Sequence, residues 1–122
     1  GPQVIYRGPV SNEDVPIWLS AADIFVLPTL SEGSCNAIIE AMACRLPIIS
    51  SDRPFNREIV DSSCALLVDP MDIGELGHAI SSLVHDETKR NIMASNALIK
   101  SKVFDLSVRV KNMIDWIRLE CL

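Results

Sequence analysis

No run of about eighteen consecutive apolar residues occurs in this chain, and nothing at its start reads as a secretion signal. No transmembrane segment is therefore expected. The expected location is cytoplasmic, with any attachment to a membrane surface left to sequence outside these 122 residues. Basic clusters are lacking too: 11 Lys and Arg against 16 Asp and Glu leave a net charge of −5, a poor match for a nucleic-acid partner. The four cysteines, Cys35, Cys44, Cys64 and Cys121, have no C-x-x-C spacing and read as reduced thiols. His78 and His85 stand seven residues apart without a third ligand, so no metal is expected. There is no Gly-rich Walker loop, no G-x-S-x-G elbow and no H-E-x-x-H pair. Repeats, low-complexity tracts and interdomain linkers are likewise missing, and the length suffices for one core and at most one ordinary domain. Gly1-Pro2 reads as the remnant of a removed tag.

What the chain does contain is one organising stretch, Pro28 to Pro47, PTLSEGSCNAIIEAMACRLP. It follows the apolar run Asp23-Ile24-Phe25-Val26-Leu27, which predicts a short strand buried on both faces. Ser31, Gly33 and Ser34 punctuate a loop, and Ala37 to Cys44 predict a helix that Leu46-Pro47 stops. In a parallel α/β sheet such a loop lies at the carboxyl ends of the strands, where the free N–H groups of a helix start favour an anion such as phosphate. Glu32 precedes the helix, and Glu40 lies about six residues in, roughly 9 Å along its axis. Ile38, Ile39, Ala41, Met42 and Ala43 surround Glu40, so a partner is expected for its charge: Arg45 or Arg57 in an ion pair, backbone donors, or ligand hydroxyls. Ser34 and Cys35 at a helix start invite a nucleophile reading, but neither histidine is near in sequence and Cys35 is not read as one.

The run DIFVLPTLSEGSCNAIIEAMACRLPIISSD closely resembles the signature of retaining GT-B glycosyltransferases of the family 4 type, whose motif is Glu, seven residues, then Glu. Glu32 and Glu40 match it. The likeness extends from YRGPVSNEDVPIWLSAAD through NREIV and LLVDP to the terminal helices. The resemblance implies that Glu32 acts catalytically by holding the donor sugar, that the backbone of Gly33, Ser34, Cys35 and Asn36 holds its phosphates, and that Glu40 binds the ribose. It also implies that Gly8, Pro9 and Val10 touch the nucleotide base. Such enzymes need no metal cofactor, because cations upstream of Gln3 in the family neutralise the diphosphate. Where the family usually has glycine before its last strand, Cys64-Ala65 stands here.

In chain order, Gln3 to Tyr6 predicts a brief first strand and Ser11 or Asn12 caps a helix through Ala22, with Ile17, Leu19 and Ala21 or Ala22 facing inward and Trp18 a packing residue. Pro47 to Ser50 predicts a strand, Asn56 to Val60 a helical turn, and Ala65 to Val68 the last strand. Arg53 and Arg57 read as solvated or ion-paired rather than phosphate ligands. Asp72 onward is helical, with a second helix at Glu87 to Lys102 and a third at Leu106 to Leu122.

The expected fold is α/β, a Rossmann-like parallel sheet of about four strands with flanking helices: residues 1–122 form an incomplete half of a GT-B nucleotide-sugar-binding domain, and 106–122 its C-terminal helix. The expected function is the donor-binding portion of a retaining glycosyltransferase that moves a hexose from a UDP- or GDP-sugar to an acceptor, with the N-terminal acceptor domain outside this sequence. The alternative is a non-catalytic α/β interaction module that keeps the scaffold. Similar domains order six strands 3-2-1-4-5-6, and the four here correspond to the third through sixth. Either the first strand moves beside Ile24 to Leu27, or that strand is left as an open edge that favours self-association.

Overall fold

The computed structural model describes residues 4–31 and 35–121. Eight elements follow in order: α1 (Val15–Ala21), β1 (Phe25–Leu27), α2 (Cys35–Ala43), β2 (Ile48–Ser51), α3 (Pro54–Arg57), β3 (Ala65–Val68), α4 (Ile73–Val84) and α5 (Glu87–Cys121). The strands make one parallel sheet in the order β1-β2-β3, with Phe25 opposite Ile48 and Ile48 opposite Ala65. Parallel neighbours need a crossover, and α2 and α3 supply the two. All four residues of β2 are buried. Because side chains alternate along a strand, Ile48 enters a cluster with Ile38, Met42, Leu46 and Val60, while Ile49 meets Val68, Leu83 and Met93 on the other face.

The long helix α5 closes one end of this sheet. It contributes Met93 to one cluster and Ala97 to the other, so it crosses from face to face. Asn96 Nδ2 donates to Ser63 O at 2.9 Å and Lys100 Nζ to Asp61 at 2.8 Å, both in the loop before β3. Arg45, in the turn before β2, donates to Ser95 Oγ at 2.7 Å. These attachments lie at the amino ends of β2 and β3.

Local chemistry explains where the helices stop. Asp72 caps α4 by accepting from Glu75 N at 3.0 Å, and at its far end Arg90 Nη1 donates to Leu83 O and Val84 O. Helix α2 ends in a Schellman turn: Leu46 N donates to Ala41 O, Arg45 N to Met42 O, and Arg45 takes φ 62 in the left-handed position that glycine usually fills.

Several expectations are corrected. Of the first strand, Gln3 lies outside the described residues, and Val4, Ile5 and Tyr6 are irregular and exposed. Three residues between prolines and without a neighbouring strand have no ladder to join, so the sheet has three strands among the described residues rather than about four. That segment does not move beside β1, which is an edge strand and exposes Val26 rather than being buried on both faces. Residues 87–121 form one helix, not two, because nothing from Ser101 to Leu106 is glycine or proline. Helix α1 has seven residues and buries none of them. Leu19 packs on the core, but Ile17 is exposed, and Trp18 lies half open under the Arg7 guanidinium, 5.3 Å from its ring centroid. The helical turn after β2 spans Pro54–Arg57, two residues earlier than expected, since Pro54 suits a first helical position.

Candidate functional site

The carboxyl ends of β1 and β2 are tied together by a buried polar network. Ser50 Oγ donates to Leu27 O at 2.8 Å, which joins the two strands where the loop to α2 departs. Asn56, fully buried on α3, points Nδ2 at Ser50 Oγ (3.0 Å), Ser51 O (2.9 Å) and Ser51 Oγ (2.8 Å). The proton of Ser50 Oγ is already used on Leu27 and Ser51 O can only accept, so the group facing them must be a donor. Asn56 Oδ1 has no partner among the described residues. This network holds still the edge from which α2 begins. Sequence reasoning passed over Asn56; two adjacent serines ending a buried strand were the available signal, since buried hydroxyls need partners.

Glu32, Gly33 and Ser34 lie outside the described residues. Cys35 and Asn36 open α2, Cys35 half-buried and Asn36 exposed. Glu40 is exposed, which corrects the expectation of a helix apolar on nearly every side. The 3.6-residue period turns Ile38, Ala41 and Met42 into the core and leaves Asn36, Glu40 and Ala43 outside. Neither arginine serves Glu40: Arg45 is held by Ser95, and Arg57 pairs with Asp52 at 2.7 Å, as the solvated or ion-paired reading of Arg57 had it.

Asn36 and Glu40 share an open cleft of about 450 Å³ between α2 and α5, with Ile39, Ser101, Lys102 and Phe104 among its walls. Its apolar floor with a carboxylate, an amide and an ammonium around it suits a polar ligand with one hydrophobic face. Gly8, Pro9 and Val10 do not line this cleft; they form an irregular segment in which Gly8 turns the chain at φ 69. Cys35, Cys44 and Cys64 are free thiols, and burial raises the Cys64 thiol above its usual range, away from reactivity. Among the described residues no three His, Cys, Asp or Glu side chains gather as metal ligands, and no helix is long and apolar enough to cross a membrane.

Residues 1–99 match the family model described as glycosyl transferases group 1. The O-antigen chain mannosyltransferase B of Escherichia coli is 33% identical over 99 residues, covering 81% of this chain and 26% of that protein. The alpha-D-kanosaminyltransferase of Streptomyces kanamyceticus is 31% identical over 96 residues, covering 78% of this chain and 25% of its own. The chain thus spans about a quarter of the length of these curated relatives. Among solved structures, a sucrose-phosphate synthase from Thermosynechococcus elongatus superposes with a TM-score of 0.76 at 23% identity, over 92% of this chain and 29% of that one. That likeness establishes the fold: the α/β, Rossmann-like arrangement of a GT-B protein.

Proposed function

Since this chain belongs to the group 1 glycosyl transferases, we propose that it is the donor-binding portion of a longer retaining enzyme that moves a hexose from a UDP- or GDP-sugar to an acceptor. The observation that carries the reading is Glu40: an exposed carboxylate on α2, eight positions after Glu32, beside an open cleft and free of any ion pair among the described residues. A carboxylate kept in water and unpaired is available to accept hydrogen bonds from vicinal ribose hydroxyls. Asn36 and the first amides of α2 face the same end of the sheet and suit the diphosphate, whose charge grows as the sugar leaves. Glu32 positions the sugar, a role that rests on the motif spacing. The names of the relatives, a mannosyl and a kanosaminyl transferase, support a hexose-class donor.

Transfer needs an acceptor site and cations for the diphosphate, which this proposal assigns to sequence outside the chain. Each charge-assisted hydrogen bond is worth roughly 1.5 to 3 kcal/mol, so without two such cations donor binding weakens about a hundredfold or more. The expected outcome is weak, saturable binding of UDP, GDP or their sugars in ligand-observed NMR, lost in Glu40→Ala, and no turnover by the chain alone. Silence from both this chain and the full-length protein would overturn the donor site and leave the scaffold reading. Robust turnover by these 122 residues would show that the acceptor machinery lies within them.

A further inference from the structure

The cleft beside Glu40 has two walls, and the second belongs to α5. Ser95 on α5 is bonded to Arg45, just past the carboxyl end of α2, while Phe104, later on α5, lines the cleft together with Asn36 from the first turn of α2. The two helices therefore run antiparallel along it. From Ser95 to Lys102 the axis of α5 advances roughly 10 Å, and from Arg45 back to Glu40 and Asn36 that of α2 spans roughly 8 to 14 Å. Lys102 thus comes level with the turn between Asn36 and Glu40.

Among the described residues Lys102 is the one cation that lines this cleft. Ser101 beside it is buried and spends its hydroxyl proton on Leu98 O at 2.7 Å, and Lys100 is committed to Asp61 at 2.8 Å. Lys102 is exposed and belongs to neither ion pair found among the described residues, Arg57 with Asp52 and Lys100 with Asp61. Three charged positions bear on it: Glu40 across the cleft, Lys100 two places before it and Asp105 three places on. Glu40 and Lys102 face the same space without closing on each other. A helix pair at the spacing of Lys102 and Asp105 is worth about a twofold change in an equilibrium, which leaves the ammonium open to a phosphate.

A ribose that carries a phosphate matches this arrangement. Its vicinal hydroxyls donate to a carboxylate, and the phosphate on its exocyclic carbon, across the ring from them, accepts from an ammonium. The apolar floor of Ile39, Ala43 and Phe104 suits the face of the ring. We propose that Lys102 is a further donor-binding residue, whose ammonium holds the phosphate attached to the ribose while Glu40 holds the hydroxyls. This rests on the donor-site reading above. It adds to the cations assigned to sequence outside the chain, and it gives α5 a share in the site through a side chain that the spacing of Glu32 and Glu40 does not mark.

The test compares a nucleotide with its nucleoside, so that the phosphate alone is read. In ligand-observed NMR titrations of the 122-residue chain, UMP or GMP is expected to bind more tightly than uridine or guanosine. Lys102→Gln is expected to narrow that preference by about threefold to tenfold without weakening the nucleoside. Lys102→Arg, which keeps a cation, is expected to retain it. Lys111→Gln removes the same charge from an exposed position of α5 beyond the cleft and is expected to change neither ligand. Glu40→Ala is expected to weaken nucleotide and nucleoside alike. A preference unchanged in Lys102→Gln, or narrowed as much by Lys111→Gln, would overturn the assignment and leave the donor site standing on Glu40. Silence from the parent chain would overturn it as well, and the donor site falls with it only when the full-length protein is silent too.

Discussion

Replacing Asn56 tests whether its buried amide fixes the carboxyl end of the sheet. The side chain sits at 0% exposure and presents Nδ2 to three oxygens, those of Ser50 Oγ, Ser51 O and Ser51 Oγ. Asn56→Ala removes two N–H donors and leaves those oxygens short of partners in a dry site, while the loss of Oδ1 costs no hydrogen bond to any described residue. Two lost bonds at about 1 kcal/mol each, plus the penalty of the orphaned acceptors, give about 2 to 4 kcal/mol. Asn56→Asp changes little in shape yet is expected to be worse at neutral pH. It turns a donor into an ionised acceptor facing three oxygens, and an uncompensated buried charge costs about 3 to 5 kcal/mol. Burial and the facing oxygens raise the introduced carboxyl's folded pKa above its unfolded value. Its penalty is therefore absent below the unfolded pKa and grows as pH rises towards the folded one. Urea unfolding at several pH values reads this directly: at m values of about 1 to 3 kcal/mol per molar, both midpoints fall by roughly 1 M or more. An Asn56→Asp protein at least as stable as Asn56→Ala at neutral pH would refute the assigned orientation of the amide and the network built on it.

Other substitutions address the donor site, the α2 turn and the α5 clasp. In the full-length protein, Glu32→Gln is expected mainly to lower kcat and Glu40→Ala mainly to raise the apparent KM for the donor; parental kinetics in both would remove their assigned roles. Arg45→Gly relieves a left-handed residue worth about 1 kcal/mol and gives up an exposed bond to Ser95 worth about half that. Its melting midpoint should rise by about 2 °C, and one below that of Ser95→Ala would contradict the strain argument. Asp61 has its carboxyl lowered from 3.8 to about 2, first by the Lys100 ammonium at 2.8 Å and then by the hydroxyl and amide of Ser63. With its folded pKa depressed, this group stabilises the fold above about pH 4, and the effect is lost as pH falls through about 2. Its side chain is 55% exposed, so the screened effect is about 1 kcal/mol or less. Lys100→Met should flatten the midpoint-against-pH curve in that window, and an unchanged curve would assign the acid sensitivity elsewhere.

Read from the residues alone, the chain already declared its α/β class, the limits of β3 to the residue and the Asp72 start of α4. These are local signals. A four-residue apolar run bounded by turn residues, or a capping aspartate three before a glutamate, carries its own physical cause within a few positions. The family likeness was legible for the same reason, being a contiguous pattern in register.

What depended on distant residues was not legible there. Whether Gln3 to Tyr6 becomes a strand turns on having a neighbour to bond with, and Val4 to Tyr6 found none among the described residues. Whether Glu40 is buried turns on which face of α2 meets the sheet, a choice made by Ile38, Ala41 and Met42 together rather than by the apolar residues adjacent to it. The Arg45 and Arg57 side chains were committed to Ser95 and Asp52, one of them 50 positions away. Asn56 gained its meaning only when α3 folded back over the two serines that end β2. Sequence determined the elements and the chemistry available to them; tertiary structure decided which polar groups lost water and had to be paired, because desolvation is a property of packing and not of order along the chain.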